Sequence, residues 1–206
     1  SGLLGSVAQA ADPTRREVSS AVGDPEAEGL RGPLGDPAAL FVREMMNKVR
    51  SRTPGLSDTL PPVRDLWGRP KEYTSNLGVA YDFAIPFKVS TEKPDPVDQL
   101  IVTNGIDVKM PERSIQRVEL TGEEYSEYVR LAGEAAKSAL DEIVAEPTFR
   151  QLSDGPDGLK ADVIKDIIAQ TRAQARGEML SAFPALASRI EAQAALRNQL
   201  LIEPAQ

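Results

Sequence analysis

Adjacent carboxylates are the first residues in this chain whose type and spacing could do chemistry. Glu123–Glu124 and Asp141–Glu142 offer the two acids that glycoside hydrolysis uses, one as general acid and one as base or nucleophile. Neighbouring residues on a helix do not face one another, so neither pair converges on a common cleft, and acids at this density ordinarily form a solvated face. Asp154-Gly155-Pro156-Asp157-Gly158 has the letters of a calcium loop but lacks the alternating ligands and closing Glu of an EF-hand; it reads as a turn between helices. The Gly-x-x-Gly spacings within residues 23–35 have neither the strand–turn–helix setting nor the lysine of a phosphate-cradling loop. The chain contains no histidine and no cysteine, which removes imidazole acid–base catalysis, thiolate nucleophiles, disulfide staples and the usual zinc donors. The expectation is a chain with no catalytic residues of its own, no cofactor and no metal site. Serine–lysine and carboxylate chemistry stay open on composition alone.

The other chemistry on offer is recognition. Arg64, Asp65 and Arg69 bracket Trp67, the only tryptophan, and an indole flanked by guanidinium groups is a common interface anchor. Around it, eight of the 16 prolines fall between Pro54 and Pro111. Each removes a backbone donor and biases the residue before it toward extended geometry. Apolar anchors recur through the same stretch, whereas disordered linkers are poor in them. The pattern predicts an extended arm over residues 53–120 laid on a partner, with Leu60, Arg64, Asp65, Leu66, Trp67, Arg69, Tyr73, Phe83 and Phe87 as the partner-docking residues. The alternative is that Trp67 packs on the chain's own helices. Fully extended at ~3.3 Å per residue, its proline-punctuated part from Pro54 to Pro111 reaches about 190 Å.

Charge narrows the partners. The net charge is −7, and ten acids against three bases between Glu119 and Asp157 account for it. Arg43 to Lys71 carries seven basic residues and three acidic ones, a mild bias suited to local docking rather than a nucleic-acid footprint. No stretch approaches the roughly 18–20 apolar residues that span a bilayer. Ser1 in first place predicts a processed chain or a piece of something longer.

The elements that must position these residues are helices. Residues 1–35, rich in Gly, Ala and Pro, read as a flexible segment, with one short helix possible from Asp12-Pro13 to Val18. Asp36-Pro37 opens a helix to about Arg52, with Ala38, Phe41, Val42, Met45, Met46 and Val49 on one face. Residues 100–109 read either as a β-hairpin turning at Asn104-Gly105 or as the end of a short helix begun at Asp95-Pro96. Thr121 and Glu124 form a capping box. The helix it opens carries Tyr125, Tyr128, Val129, Ala132, Ala136, Leu140 and Ile143 on one stripe and stops before Pro147, after which one further turn carries Phe149. A second long helix runs from Leu159 to about Ala182, Pro184 breaks it, and a last one follows to Leu201. The fold class is mainly α: amphipathic helices joined by a long proline-rich arm, with a C-terminal helical hairpin or small bundle over 121–206.

The run Pro-Gly-Leu-Ser-x-x-Leu-Pro-Pro-x-Arg-Asp-Leu-Trp-Gly-Arg-Pro, Pro54 to Pro70, resembles the C-terminal region of large polyvalent bacteriophage proteins, which have virion-internal or DNA-ejection roles in short-tailed phages and related prophages. The downstream order of Pro96-Val97-Asp98, Pro111, Leu120-Thr121-x-x-Glu124-Tyr125 and the Arg172–Leu180 helix is similar too. The resemblance spans about residues 36–182 and is most specific from Leu60 to Pro70. It implies a terminal module of a large protein packed near the portal or internal core and delivered with the genome into the host envelope. It also implies a helix at 96–104 and enzymatic domains elsewhere in the longer chain, while the extended arm itself suits subunits tied to the portal or to one another in a ring. An assembly scaffold or chaperone is the rival structural reading, and a cell-wall hydrolase domain the rival enzymatic one.

Overall fold

The computed structural model describes residues 14–18, 47, 50–51, 60–71 and 95–202, and their helices form two long antiparallel partners with shorter elements wrapped around them. In chain order these are α1 (Pro96–Thr103), a two-strand hairpin of β1 (Ser114–Ile115) and β2 (Val118–Glu119), α2 (Gly122–Ala145), α3 (Pro147–Arg150), α4 (Leu159–Ala182) and α5 (Pro184–Ile202). The chain is mainly α, as its periodicity predicts.

Each helix boundary has a local cause. The carboxylate of Asp95 accepts from the N–H of Val97 at 2.9 Å, and Pro96 takes the first helical position, where its missing donor costs nothing. At the other end the N–H of Gly105 reaches Val102 O and that of Ile106 reaches Ile101 O. This is a Schellman closure, which needs the left-handed backbone that Gly105 adopts at φ +62°. Asn104-Gly105 therefore caps a helix, and of the two readings of 96–109 the short helix is the one the chain adopts. The capping box at α2 forms as spaced: Glu124 N–H donates to Thr121 Oγ1 and Thr121 N–H donates to Glu124 Oε2.

α2 and α4 pack along their lengths. Their apolar stripes make two clusters. One joins Ala136 and Leu140 of α2 to Ala161, Ile164 and Ile168 of α4, together with Phe149. The other joins Tyr128 and Ala132 to Ala175 and Met179, with Leu186 and Ile190 of α5 and Ile115 and Leu120 from the hairpin region. Leu159 stands on the same sequence stripe as Ile164 but is exposed, at the first turn of α4.

The arm is where the structure corrects the sequence. Two described parts of the 53–120 stretch are folded onto the helices. Leu66, Trp67, Val97, Ile101, Ile106 and Val108 all belong to the first cluster, so the core runs across the expected boundary between arm and helical module at 120/121. Extended geometry forbids a helix but not a return path, and anchors at intervals can be met by the chain's own surface. Residues 114–119 form a tight hairpin, Ser114 opposite Glu119 and Ile115 opposite Val118, that the sequence reading does not anticipate. The short helix expected through Val18 is also absent over its described part. Arg16 bridges to Pro62 as an antiparallel partner, and the N–H of Val63 donates to Arg15 O at 2.8 Å, so residues 14–17 are extended. Of the helix expected at 36–52, Asn47 and Arg50 are helical; its apolar stripe lies outside the described residues, as does most of the segment 1–35.

Candidate docking site: the tryptophan turn and its seat

The turn at Asp65–Arg69 is built around one carboxylate. Asp65 Oδ1 accepts the N–H groups of Trp67 at 3.0 Å and Arg69 at 2.9 Å, while Oδ2 accepts Arg69 Nε at 2.8 Å. The Asp65 N–H closes the turn on Arg69 O at 2.9 Å. Arg64 clasps it from the side, NH1 donating to Gly68 O at 2.7 Å, and Gly68 takes φ +78°, a conformation that costs a residue with Cβ about 1–2 kcal/mol. These bonds define the backbone from which Leu66 and Trp67, both buried, project.

The seat is a strip of α2 with α1 beside it. A Cβ on Gly133 would lie 2.4 Å from the backbone of both Trp67 and Gly68, and one on Gly68 would lie 2.8 Å from Arg130 Cα and O. The turn thus rests backbone on backbone. Trp67 buries its ring and donates Nε1–H to Asp98 of α1 at 2.7 Å. Ser126 fastens the upstream strand, accepting from Arg64 Nε at 3.0 Å and donating to Pro62 O at 3.1 Å. Lys137 bridges α2 to Asp95, the N-cap of α1, at 3.0 Å, which holds the two walls of the seat together.

The electrostatics follow from this burial. Desolvation raises the Asp98 carboxyl above its ordinary value, Asp95 adds to the rise, and the indole N–H works against it. The Asp95 carboxyl is held low: burial opposes this, but the bonds from Lys137 and the Val97 N–H outweigh it. Burial also lowers Arg64 below the usual guanidinium value, with Glu127 pulling the other way. Glu127 is lowered by its hydrogen bonds from Arg130, the residue on which Gly68 sits.

Of the nine docking residues expected from sequence, Leu60, Leu66 and Trp67 are 2%, 4% and 2% exposed within this chain. Within the single chain these three therefore pack on the chain's own core, the alternative that the sequence left open for Trp67. Asp65 is buried as the organiser of the turn, Arg64 is half-buried, and Arg69 is exposed. Tyr73, Phe83 and Phe87 lie outside the described residues. Sequence reasoning misses the seat itself: Asp98, Ser126 and Gly133. A lone glycine inside an alanine-rich helix is the available signal for Gly133, because a helix keeps one at a cost of about 1 kcal/mol mainly where something must come close.

The carboxylate pairs do not make a site. Glu123 is exposed and Glu124 buried, where the latter holds Thr121 N and, at 2.7 Å, Arg189 of α5. Asp141 and Glu142 are both exposed, and Asp141 pairs with Lys137. Among the described residues no group of three or more acidic side chains is placed to hold a metal ion, and no helix is long and apolar enough to cross a membrane. An open groove of about 320 Å³ beside α1, lined by Leu100, Val144, Phe149, Arg150 and Lys160 among others, has no acid in its wall. No protein-family model, curated protein or solved structure matches the chain.

Proposed function

We propose that the chain is a structural module of a bacteriophage virion: the terminal part of a large internal protein that docks on the portal or internal core and is delivered with the genome. The observation that carries this reading is the use made of the Leu60–Pro70 block, where the resemblance is most specific. Its Asp, Leu, Trp, Gly and Arg letters each have a separate structural task, as organiser, core residues, left-handed hinge and clasp. The likeness is therefore to a fold determinant, a stronger ground than likeness in an unstructured stretch.

The chemistry of the interior supports the same reading. Buried ionic groups are committed to architecture: Asp65 to its turn, Glu124 to a cap and to Arg189, and Lys160 to Asp154 at 2.8 Å. Partner docking then falls to exposed groups such as Arg69 and to the anchors Tyr73, Phe83 and Phe87, with ring-like self-association around the portal. Any catalytic domain lies elsewhere in the longer polypeptide.

Mass spectrometry of purified mature virions tests this. The expected result is peptides of this chain within a polypeptide well above 22.3 kDa, cross-linked to portal or core proteins. Peptides found in precursor particles but lost from mature ones would instead identify a scaffold, and clearing of a cell-wall zymogram by the chain would identify a hydrolase.

A further inference from the structure

The contacts described above divide the molecule into a plug and a receptor. The plug is Leu60–Lys71 with the strand 14–17 paired along it. The receptor is everything from Asp95 onward, and every residue of the seat lies on that side. Residues 72–94 are the direct covalent connection from Lys71 to Asp95, 23 residues that span up to about 75 Å at ~3.3 Å each. The geometry of the seat does not require that its plug come from the same copy.

Two features suit the plug to docking as a separate piece. It is organised internally: the bonds of Asp65, the Arg64–Gly68 clasp and the Arg64–Pro70 bridge all lie within the turn itself, which lowers the ordering entropy to be lost on seating. It also meets a seat with matched parts, Gly133 for the backbone and Asp98 for the indole N–H. Glu17 adds an ion pair to Arg113 at 2.6 Å across the same divide.

We infer that this plug exchanges between copies, so that Leu60–Lys71 of one chain occupies the Asp98–Gly133 seat of a second chain. Exchange of an identical element uses contacts that already exist and so makes a low-cost tie between subunits. Concentration decides between the two arrangements. Belonging to one chain gives the intramolecular form an effective concentration on the order of millimolar; dilute chains close on themselves, and copies crowded above that level link to one another. The inference stands on contact geometry alone. It deepens the virion reading by supplying the link between copies, and absence of the polypeptide from particles would sink that reading while leaving this one untouched.

Two complementary variants of the full chain test it. Trp67→Ala empties the plug and keeps the seat; Gly133→Val blocks the seat and keeps the plug. Each alone is expected to run as a monomer, and an equimolar mixture is expected to give a heterodimer by native mass spectrometry, growing with concentration. A mixture that stays monomeric, with both variants helical by circular dichroism, overturns the proposal. Where either variant fails to fold, a synthetic Leu60–Lys71 peptide carrying fluorotryptophan decides the matter on the wild-type chain. At peptide concentrations above the millimolar range a seated ¹⁹F resonance is expected, weakened at least about tenfold when the peptide's Asp65 is Ala. Its absence overturns the proposal.

Discussion

Asp65 and Asp98 face the same tryptophan but carry different costs. Asp65 is surrounded by N–H donors, which replace the water it loses. Asp98 has the indole N–H at 2.7 Å and is otherwise half-buried beside the like charge of Asp95, so its ionised form is disfavoured in the folded chain. A carboxyl whose folded value is raised holds its proton longer in the folded state than in the unfolded one. Its contribution to stability is then greatest below the unfolded value and declines as pH rises through the folded one. Asp98→Asn keeps an acceptor for the indole and removes the titration. Measured by urea unfolding from pH 3 to pH 7, the stability of the wild type relative to Asp98→Asn is expected to fall as pH rises. A flat difference would mean that the indole bond compensates Asp98 fully. The carboxyls of Asp95 and Glu127 are lowered and act in the opposite sense in both proteins, losing their stabilisation as pH falls through the folded values, so the difference reports Asp98 together with its coupling to Asp95.

At the scale of elements, two glycines within long helices make a controlled comparison. Gly133 in α2 has the Trp67–Gly68 backbone 2.4 Å from where a Cβ would sit, while Gly177 in α4 has nothing within 4 Å. Alanine gains up to about 1 kcal/mol of helix propensity at either position. At Gly177 that gain is expected to appear as stabilisation. At Gly133 it is outweighed by overpacking worth about 1–3 kcal/mol, because both neighbours are backbone and the turn must lift. Fluorescence separates the two outcomes, since Trp67 is the only indole: its emission is expected to shift red in Gly133→Ala and to stay put in Gly177→Ala. The β1–β2 turn gives a second test. Gln116 and Arg117 both have positive φ, +50° and +71°, the backbone of a type I′ turn without the Asn-Gly that favours it. Replacing the pair by Asn-Gly is expected to raise stability by about 1 kcal/mol in thermal unfolding. These turns also show what the sequence could disclose. Caps are local, so Thr121–Glu124 and the Asn104-Gly105 ending were legible as types of signal, and α2 and α4 followed from apolar period. The Gln116-Arg117 turn was not legible, because packing of Ile115 and Leu120 imposes a conformation its residues do not prefer. Nor was the seat, because proline and anchor spacing describe an extended path without saying whose surface it crosses.

For the whole molecule, the position of the core decides what can stand alone. α2 and α4 present a two-sided problem: their shared stripe is covered partly by each other and partly by residues from before Thr121. Val97, Ile101, Ile106, Val108, Ile115 and Leu120 are each at most 7% exposed, and all pack on helices that begin after that point. A fragment of residues 121–206 would uncover the partners of all six. At about 1.5–3 kcal/mol for each fully buried aliphatic side chain, that loss is comparable to the 5–15 kcal/mol by which a whole domain is stable. The fragment is therefore expected to keep much of its helix by far-ultraviolet circular dichroism, to bind a hydrophobic dye, and to melt over a broad range. The full chain is expected to show one sharp transition, coincident by Trp67 fluorescence and by circular dichroism, because α2 and α4 run through both clusters and couple them. A fragment that melts as sharply as the full chain and at the same midpoint would place the boundary at 120/121 after all, and would make the tryptophan turn an ornament on a self-sufficient bundle rather than part of its core.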